Sequence, residues 1–206
     1  MAAICKTNEL LTSIDLFKTA SKDQQDTIAQ LSNYVSRLTK TQSGCVSGSI
    51  HRSIDGERAM CYLQWQKEQY YTDFNKSQSG YKELDLLDTH LYEVAVSKPD
   101  DADLTIQPGR LLHLGEFRLL PENQPRLIAL EAEIPEISLQ HPDLLSVNFH
   151  RSLDGTRTMN YGFWSNFDRF DLLLKEERFK PVRDYWQGLA ENEFHLYEVA
   201  GVFEQR

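Results

Sequence analysis

Apolar residues recur with helical spacing in two separate parts of the chain. The first apolar stripe is Ile28, Leu31, Val35 and Leu38, and the second is Leu127, Leu130, Ile134 and Ile137. Steps of three and four residues place these side chains on one face of a helix. After each stripe comes a hairpin pattern, at 45–65 and at 144–164, in which two short strands flank an Asp-Gly turn. The chain therefore contains a repeated arrangement of helix and hairpin.

Each half of the chain, 1–98 and 109–206, gives the order strand, helix, hairpin, helix, strand. The remaining predicted elements are strands at 10–18, 89–97, 110–118 and 194–203 and helices at 66–87 and 165–190, the last of them split by Pro181. The order βαββαβ is that of a ferredoxin-like unit, whose sheet has one face covered by helices. We predict an α+β protein with two tandem ferredoxin-like domains, joined by a linker at 99–108. The uncovered faces then meet in an eight-stranded α/β-barrel pseudo-dimer within one chain.

A longer sequence repeat supports this division of the chain. HRSIDGERAMCYLQW at 51–65 returns as HRSLDGTRTMNYGFW at 150–164, with nine of the fifteen residues identical. A second pair, THLYEVAVS at 89–97 and FHLYEVAGV at 194–202, follows in the same order. The repeat covers both predicted domains.

Composition narrows the range of partners and compartments. The formal net charge of −9, without a basic stripe, argues against nucleic acid or an anionic membrane as a partner. The sequence has neither a long apolar run nor a leader pattern at its start. Its three cysteines lack paired spacing, which favours a reducing, cytoplasmic location. We expect a protein that acts alone or as a homodimer.

The hairpin turn predicts which side chains face the barrel interior. Ser53-Ile54-Asp55-Gly56 fits a type I turn followed by a left-handed glycine, in a three-residue hairpin. That register places one small, polar face of each hairpin toward the interior, where it would form a hollow for a ligand. The predicted inward face consists of Ser47, Ser49, His51, Ala59, Cys61, Leu63 and Trp65, and of Ser146, Asn148, His150, Thr158, Asn160, Gly162 and Trp164.

These motifs resemble the antibiotic biosynthesis monooxygenase family. The resemblance rests on HRSxDG, on NYxxW and on the final HLYEV, and it covers nearly the whole chain. It is strongest to the branch that oxidises polyketide anthrones to quinones. It implies an enzyme that binds a small aromatic substrate and O2 and uses no flavin, haem or metal. In such an enzyme the deprotonated phenol passes an electron to O2, and the resulting hydroperoxide loses water.

The same resemblance selects candidate site residues. The Asn and Trp of the family motif fall on Asn160 and Trp164, while Cys61 replaces the Asn in the first half. A Tyr six residues after the Trp is present as Tyr71 but becomes Phe170 in the second half. Because neither half has the full set, we expect unequal sites, with the chemistry in the second half. The other predicted catalytic residues are Trp65, His51 and His150, the histidines as bases for the phenol. Predicted substrate contacts are Ser47, Ser49, Cys61, Ser146, Asn148, Thr158 and Phe170.

Two alternatives remain open at this stage. A related haem-degrading branch requires an iron-binding His on the helix after the Trp, but 66–88 and 165–193 contain no His. A non-catalytic binding protein, or a partner subunit of a biosynthetic complex, is compatible with the incomplete Asn and Tyr sets. His90 with Glu93, and His195 with Glu198, have the spacing of a metal pair, but residues i and i+3 of a strand point to opposite faces. We therefore expect no metal and no organic cofactor.

Overall fold

A computed structural model describes residues 2–4, 9–77 and 84–205 of the chain. Its strands are β1 (Leu11–Lys18), β2 (Cys45–Ser53), β3 (Arg58–Trp65), β4 (Leu86–Lys98), β5 (Leu111–Leu119), β6 (Leu144–Ser152), β7 (Arg157–Trp164) and β8 (Ala190–Glu204). Its α-helices are α1 (Gln24–Thr41), α2 (Glu68–Ser77), α3 (Gln124–Glu131), α4 (Pro135–Ser138), α5 (Asp171–Lys175) and α6 (Lys180–Asp184). Short 3₁₀ turns precede α3, at Pro121–Asn123, and α6, at Glu177–Phe179. The part of the predicted helix 66–87 that covers 78–83 lies outside the described residues.

The eight strands form one closed antiparallel barrel in the order β1-β3-β2-β8-β5-β7-β6-β4. Within the first half the pairs are β2–β3, β3–β1 and β1–β4, and the second half repeats them as β6–β7, β7–β5 and β5–β8. Two further pairs, β2–β8 and β4–β6, join the halves. The predicted α+β fold with an eight-stranded barrel is confirmed. Among the described residues no helix is both long enough and apolar enough to span a membrane.

The predicted hairpin register is wrong by one residue. His51 lies opposite Met60 instead of Ala59, and Ile50 lies opposite Cys61. At the hairpin turn, side-chain oxygens accept hydrogen bonds from backbone N–H groups that would otherwise pair across the two strands. The Ser53 hydroxyl accepts a hydrogen bond from the Arg58 N–H at 2.8 Å, and Asp55 Oδ1 accepts one from the Glu57 N–H at 2.9 Å. These bonds stabilise a loop of four residues. Gly56 still has the predicted left-handed conformation, with φ of 81°.

The second hairpin has the same turn and the same shift. Ser152 accepts from the Arg157 N–H at 2.9 Å, and Asp154 accepts from the Thr156 N–H at 2.9 Å. A shift of one residue moves one strand's side chains to the opposite face of the sheet. Ala59, Cys61, Leu63 and Trp65 therefore lie on the outer, helix-covered face, as do Thr158, Asn160, Gly162 and Trp164. Their predicted placement inside the barrel is wrong.

The barrel interior is packed, so the predicted inner hollow for a ligand is also wrong. Its core cluster contains Met60, Tyr62, Met159, Tyr161 and Phe163 from β3 and β7. The segment with Ala2 and Ile4 pairs with residues 104–106, and these apolar side chains join the same cluster. The predicted inward residues of β2 and β6 do point inward, because only β3 and β7 are shifted. They are Ser47, Ser49, His51, Ser146, Asn148 and His150, all buried.

The two halves differ in the helix that follows the first strand. Helix α1 is continuous and buries Leu31, Val35 and Leu38, as its stripe predicts. In the second half the helix ends at Glu131 and restarts at Pro135, whose ring nitrogen cannot donate to the carbonyl of Glu131. The break changes the buried face, so Glu131 is fully buried while the predicted stripe residue Leu130 is partly exposed.

The later break in the second half precedes Pro181. Helix α5 ends at Lys175, Glu176 is extended with ψ of 137°, and Pro181 opens α6. The predicted long helix at 165–190 is therefore two short helices around a turn. Because the helices are short and separated, they do not cover the sheet completely.

The repeated motifs contact each other across the two halves. Asp55 binds His195 at 2.7 Å, and Asp154 binds His90 at 2.7 Å in the equivalent place. Arg52 forms an ion pair with Glu198, and Arg151 forms one with Glu93. Each HRSxDG motif thus pairs with the HLYE motif of the other half.

A third pair of contacts crosses the centre of the barrel. His51 Nε2 is hydrogen-bonded to the Tyr161 hydroxyl at 2.8 Å, and His150 Nε2 to the Tyr62 hydroxyl at 3.0 Å. Burial lowers the pKa of His51 to about 3 and that of His150 to about 4, so both rings are neutral at pH 7. The two histidines join the halves inside the barrel.

We predict that His90→Asn destabilises the protein more at pH 5.5 than at pH 9. Burial lowers the pKa of His90, but the carboxylates of Asp88 and Asp154 outweigh it and raise the pKa above the ordinary value. The stabilisation is therefore complete at low pH and is lost as pH rises through the raised pKa. We expect a difference of about 1 kcal/mol between the two pH values for this partly buried pair. Urea denaturation of both proteins measures it.

The control for this experiment is Lys98→Met, which removes an ion pair with the exposed Asp100. It should change stability by less than about 0.5 kcal/mol at either pH. Equal destabilisation by His90→Asn at pH 5.5 and pH 9 would contradict the proposed charge on His90.

Candidate active site

A cavity of about 250 Å³ lies between the outer face of the second-half sheet and the segment that contains α5 and α6. The sheet contributes His113, Gly115 and Phe117 of β5, Asn160 of β7, and Asn192 and Phe194 of β8. The covering segment contributes Phe170, Leu173, Leu174, Val182, Arg183, Tyr185 and Trp186. Leu174 is 49% and Phe194 43% exposed, which places them at the mouth. Aromatic and aliphatic side chains form most of the wall, together with a few polar residues.

His113 occupies one wall and is held by Trp164. The indole N–H of Trp164 donates to His113 Nδ1 at 2.7 Å, and the two rings meet edge to face. Gly162 lies directly opposite His113 in the strand pair. A Cβ at Gly162 would lie 2.2 Å from the imidazole, so only glycine leaves room for this ring.

The bond from Trp164 fixes the protonation of His113. An indole nitrogen can only donate, so Nδ1 must accept, and the single proton of the neutral ring lies on Nε2. Burial lowers the pKa of His113 to about 4, which keeps the ring neutral at pH 7. No hydrogen bond to Nε2 is found among the described residues. His113 can therefore donate a hydrogen bond from Nε2 to a molecule in the cavity.

Asn160 provides the second polar group. Its side-chain oxygen Oδ1 is buried and has no hydrogen-bond partner among the described residues. A buried amide without a partner is costly, which is typical of a group that binds a ligand. Asn160 and His113 lie on the neighbouring strands β7 and β5 and line the same cavity.

A buried carboxyl group lies beside this site. Glu131 is fully buried, and its Oε1 accepts a hydrogen bond from Thr158 at 2.7 Å. Burial raises the pKa of Glu131 to about 8, although the Thr158 bond partly opposes this. The other carboxyl oxygen of Glu131 and the hydroxyl of Tyr185 are both buried without a partner among the described residues. Burial, followed by the charge of Glu131, raises the pKa of Tyr185 well above its ordinary value.

The corresponding face of the first half has different side chains. Ser13 takes the place of His113 and accepts the indole N–H of Trp65 at 3.1 Å. Asp15, which is buried, takes the place of Gly115, and Thr89 donates to it at 2.5 Å. Cys61 replaces Asn160 and packs in the core under α1. The two outer faces therefore differ, as the sequence predicts.

Of the predicted site residues, the structure brings two to the cavity wall, Asn160 and Phe170. Trp164 lies behind His113, with its N–H already donated, and Thr158 is bonded to Glu131. Trp65, Tyr71 and Cys61 belong to the first half, where the Tyr71 hydroxyl is 3.5 Å from Thr89 Oγ1. The remaining six lie in the barrel, on the other side of the sheet. They are Ser47, Ser49, His51, Ser146, Asn148 and His150.

Sequence reasoning missed His113, Glu131, Tyr185 and Trp186. His113 lies outside every repeated motif, and a glycine opposite it becomes meaningful only when the strand register is known. Tyr185 and Trp186 lie between Trp164 and His195, where the second half is six residues longer than the first, so the repeat offers no certain counterpart for them. The position of Glu131 between two apolar residues of the helix was a signal, because a lone carboxyl group on a buried stripe is unusual.

Comparison with known proteins relates this chain to monooxygenases. No family model matches the chain. It is 32% identical over 103 residues to tetracenomycin-F1 monooxygenase of Streptomyces glaucescens, a match that covers 50% of this chain and 92% of the relative. A crystal structure of an anthrone oxidase-like protein superposes with a TM-score of 0.77 and 17% identity, over 99% of this chain and 97% of that one.

Two further solved structures share the fold. A putative monooxygenase of Fusobacterium nucleatum superposes with a TM-score of 0.64 and 10% identity, over 100% of this chain and 96% of that one. A mutant chlorite dismutase of Candidatus Nitrospira defluvii superposes with a TM-score of 0.58 and 12% identity, over 94% of this chain and 92% of that one. At these identities the structures show the fold alone.

The fold is a closed barrel with a cavity between the outer face of its sheet and the covering helices. The sequence relationship specifies its family. The chain belongs to the antibiotic biosynthesis monooxygenase family and is an enzyme of the monooxygenase type.

The residues of this cavity do not fit haem. Residues 165–193, which cover the site, contain no His to bind an iron. The Nδ1 of His113 is taken by Trp164, and the ring packs against Gly162. A volume of about 250 Å³ is also below the ~300–1,000 Å³ of pockets for drug-sized ligands, and a porphyrin needs more room than most of these.

We predict that Glu131→Gln stabilises the protein at pH 9 and has little effect on stability at pH 4. A carboxyl group whose pKa is raised on folding stays protonated in the native state while the unfolded chain releases the proton. Stability therefore falls by up to about 1.4 kcal/mol per pH unit between the unfolded pKa of about 4.5 and the folded pKa of about 8. Glutamine removes this loss and keeps an acceptor for Thr158.

Thermal melts across pH 4 to 9 measure the effect. The matched control is Glu131→Ala, which removes the charge but also the packing and leaves the Thr158 hydroxyl unpaired. It should destabilise the protein at pH 4, where Glu131→Gln does not. A constant difference between wild type and Glu131→Gln at all pH values would refute the raised pKa.

Proposed function

We propose that the enzyme oxidises a phenolic aromatic substrate, of the anthrone or hydroquinone type, with O2 to a quinone in the second-half cavity. We propose further that the reaction uses no flavin, haem or metal. One observation carries the proposal: Asn160, whose side-chain oxygen is unpartnered, and His113, whose Nε2 carries the ring proton, line the same cavity. Two hydrogen-bonding groups among aromatic walls match a flat substrate that carries a hydroxyl or carbonyl oxygen.

The size of the cavity supports a substrate with fused rings. A cavity of about 150 Å³ accommodates one benzene ring. By proportion, the observed 250 Å³ has room for about two fused rings, with a third extending to the open mouth. Leu174 and Phe194 line that mouth with apolar surface. Phe117, Phe170 and Trp186 would contact the faces and edges of such rings.

The polar groups have separate tasks in the proposed reaction. His113 donates from Nε2 to the oxygen on which negative charge develops when the phenol is deprotonated. Asn160 donates from its amide Nδ2 to the same oxygen or its neighbour, and its Oδ1 can accept a hydrogen bond from the substrate hydroxyl before the proton is lost. Trp164 is a positioning residue, because its N–H holds the tautomer of His113. The aromatic walls exclude bulk water while the anion passes an electron to O2 and the resulting hydroperoxide loses water.

The arrangement of the chain supports a tandem fusion of two domains. We propose that residues 1–98 and 109–206 are the domains and that 99–108 connects them. The symmetric pairs Asp55–His195 and Asp154–His90 are those expected of a twofold interface between like units. The first domain then completes the barrel, and its Asp15 occupies the position where the second domain has Gly115.

We predict that Asn160→Ala and Trp164→Phe lower kcat/KM for an anthrone more than Cys61→Ala and Trp65→Phe do. Loss of a hydrogen-bonding group aimed at developing charge costs about 100- to 1,000-fold, which we expect for Asn160→Ala. The two first-half variants are matched controls, since they change the equivalent positions. They should chiefly lower stability, by up to about 3 kcal/mol. Steady-state kinetics of metal-free protein under O2, with melts, measure all four.

Other results would change the conclusion. Equal rate losses in both halves would mean two working sites. Failure of metal-free wild type to oxidise any anthrone or hydroquinone, with ligand binding intact, would point to a binding protein.

We also predict that His113→Ala lowers kcat at least about 100-fold, whereas His113→Asn keeps part of the activity. The asparagine side chain has an N–H that can reach into the cavity, whereas alanine has none. Both variants lose or weaken the hydrogen bond to Trp164. A loss of stability alone would therefore lower the activity of the two variants by a similar factor. The comparison of kcat with KM at 25 °C tests this, and equal activity of the two variants would exclude a donor role for His113.

A further inference from the structure

The proposed reaction begins with removal of a proton, and the cavity wall offers few acceptors for it. Its titratable residues among the described ones are His113, Arg183 and Tyr185. His113 is excluded because Nδ1 accepts from Trp164 and Nε2 carries the proton. The guanidinium of Arg183 has no acceptor and donates to the carbonyls of Leu173 and Glu176. His51 and His150 lie on the opposite side of the sheet, inside the barrel.

Tyr185 leads from the cavity to Glu131. The Tyr185 side chain lines the cavity, and its hydroxyl is buried without a hydrogen-bond partner among the described residues. Glu131 Oε2 is likewise buried and unpartnered, and the charge of Glu131 acts on Tyr185. The two oxygens are not hydrogen-bonded to each other, and buried polar atoms without a protein partner are commonly linked by a water.

The position of Glu131 relative to the site follows from β7. Thr158, which bonds Glu131 Oε1, lies two residues before Asn160 on the same face of that strand. Alternate residues of a strand are about 7 Å apart, so the carboxyl group lies about one side chain away from the ligand-binding amide. Three residues in or beside the cavity thus have a buried oxygen without a partner among the described residues: Asn160, Tyr185 and Glu131.

We propose that Glu131 receives the proton of the substrate hydroxyl through Tyr185. This inference rests on the proposed binding of a phenol in the cavity. The Tyr185 oxygen accepts the substrate proton while its own proton passes, through one bridging water, to the Glu131 carboxylate. The substrate becomes a phenolate, Glu131 becomes neutral and Tyr185 is unchanged, so charge and protons balance. Tyr185 touches the substrate, and Glu131 acts through it as a positioning residue.

The surroundings of Glu131 suit this task. Thr158 of β7 and Tyr185 of the covering segment face it, and no described cation contributes to its pKa. With a pKa of about 8, part of the protein carries an ionised acceptor near neutral pH, and the fraction rises with pH. A carboxylate with an ordinary pKa would be a much weaker base for a phenol.

Proton uptake on ligand binding tests the inference without any oxidation step. The probe is a hydroxyanthraquinone, which is already a quinone, and the method is isothermal titration calorimetry at pH 9 in two buffers of different ionisation enthalpy. Binding of its phenolate beside Glu131 should drive uptake of about one proton in the wild type. Glu131→Gln should bind the probe with essentially no uptake. The matched control is Glu116→Gln, a buried carboxyl group with a raised pKa inside the barrel, which should retain the uptake.

Kinetics provide a second readout. In the wild type kcat/KM should rise with pH toward an apparent pKa near 8, and Glu131→Gln should lose that rise and about 100-fold in rate. Thr158→Val removes the bond that favours the ionised carboxyl group, so its profile should move to higher pH. This variant tests the inference even if Glu131→Gln folds poorly.

The outcomes separate this inference from the proposed function. Proton uptake unchanged in Glu131→Gln, or a profile unmoved in Thr158→Val, would overturn the role of Glu131 and leave the oxidation standing. Uptake that depends on Glu131 in a protein that oxidises no anthrone would overturn the oxidation and leave the proton acceptor standing. Failure of the wild type to bind the probe would overturn both.

Discussion

The closure of four sheet edges is the constraint on which the rest of this structure depends. Each half forms a four-stranded sheet whose outer strands, β2 and β4 or β6 and β8, would otherwise expose unpaired backbone groups. Pairing β2 with β8 and β4 with β6 removes all four edges at once. The ion pairs and the His–Tyr bonds of the repeated motifs fix this register across the halves. The repetition of HRSxDG and HLYEV is therefore explained by contacts that each half makes with the other.

Closure also decides where a ligand can bind. A barrel of eight strands is narrow, and here tyrosine, methionine and histidine side chains fill it. The cavity described above lies outside the barrel, between the second-half sheet and its helices. In the first half a continuous α1 and the larger side chains of Asp15 and Leu63 lie at the equivalent place. In the second half Gly115 and Gly162 occupy these positions, and the helices are short and broken. Small residues and interrupted helices together produce the second-half cavity.

The buried polar groups in and beside that cavity lower the stability of the folded protein. Glu131 stays in an apolar environment without a counter-charge, and Asn160 has an unpaired oxygen. Such groups are destabilising in a folded protein unless a ligand satisfies them. Unpartnered buried atoms also occur inside the barrel, for example Nδ1 of His51, but the side chains there are packed together. Binding is assigned to the outer face because the cavity that contains Asn160 lies there.

The sequence by itself determined the repeat, the order of elements, the α+β class and the inequality of the two halves, because these follow from local periodicity and from comparing the halves with each other. It also selected Asn160 and Phe170, which line the outer-face cavity, through comparison with a motif, and their role in a site stays a prediction. The faces of β3 and β7 were decided only by the tertiary structure. Ser53 and Asp55 bond the turn backbone through their side chains, and the one extra loop residue reverses the faces of these strands. His113, Glu131 and Tyr185 join the site for the same reason: their importance lies in neighbours distant in sequence, which only the closed and packed chain brings together.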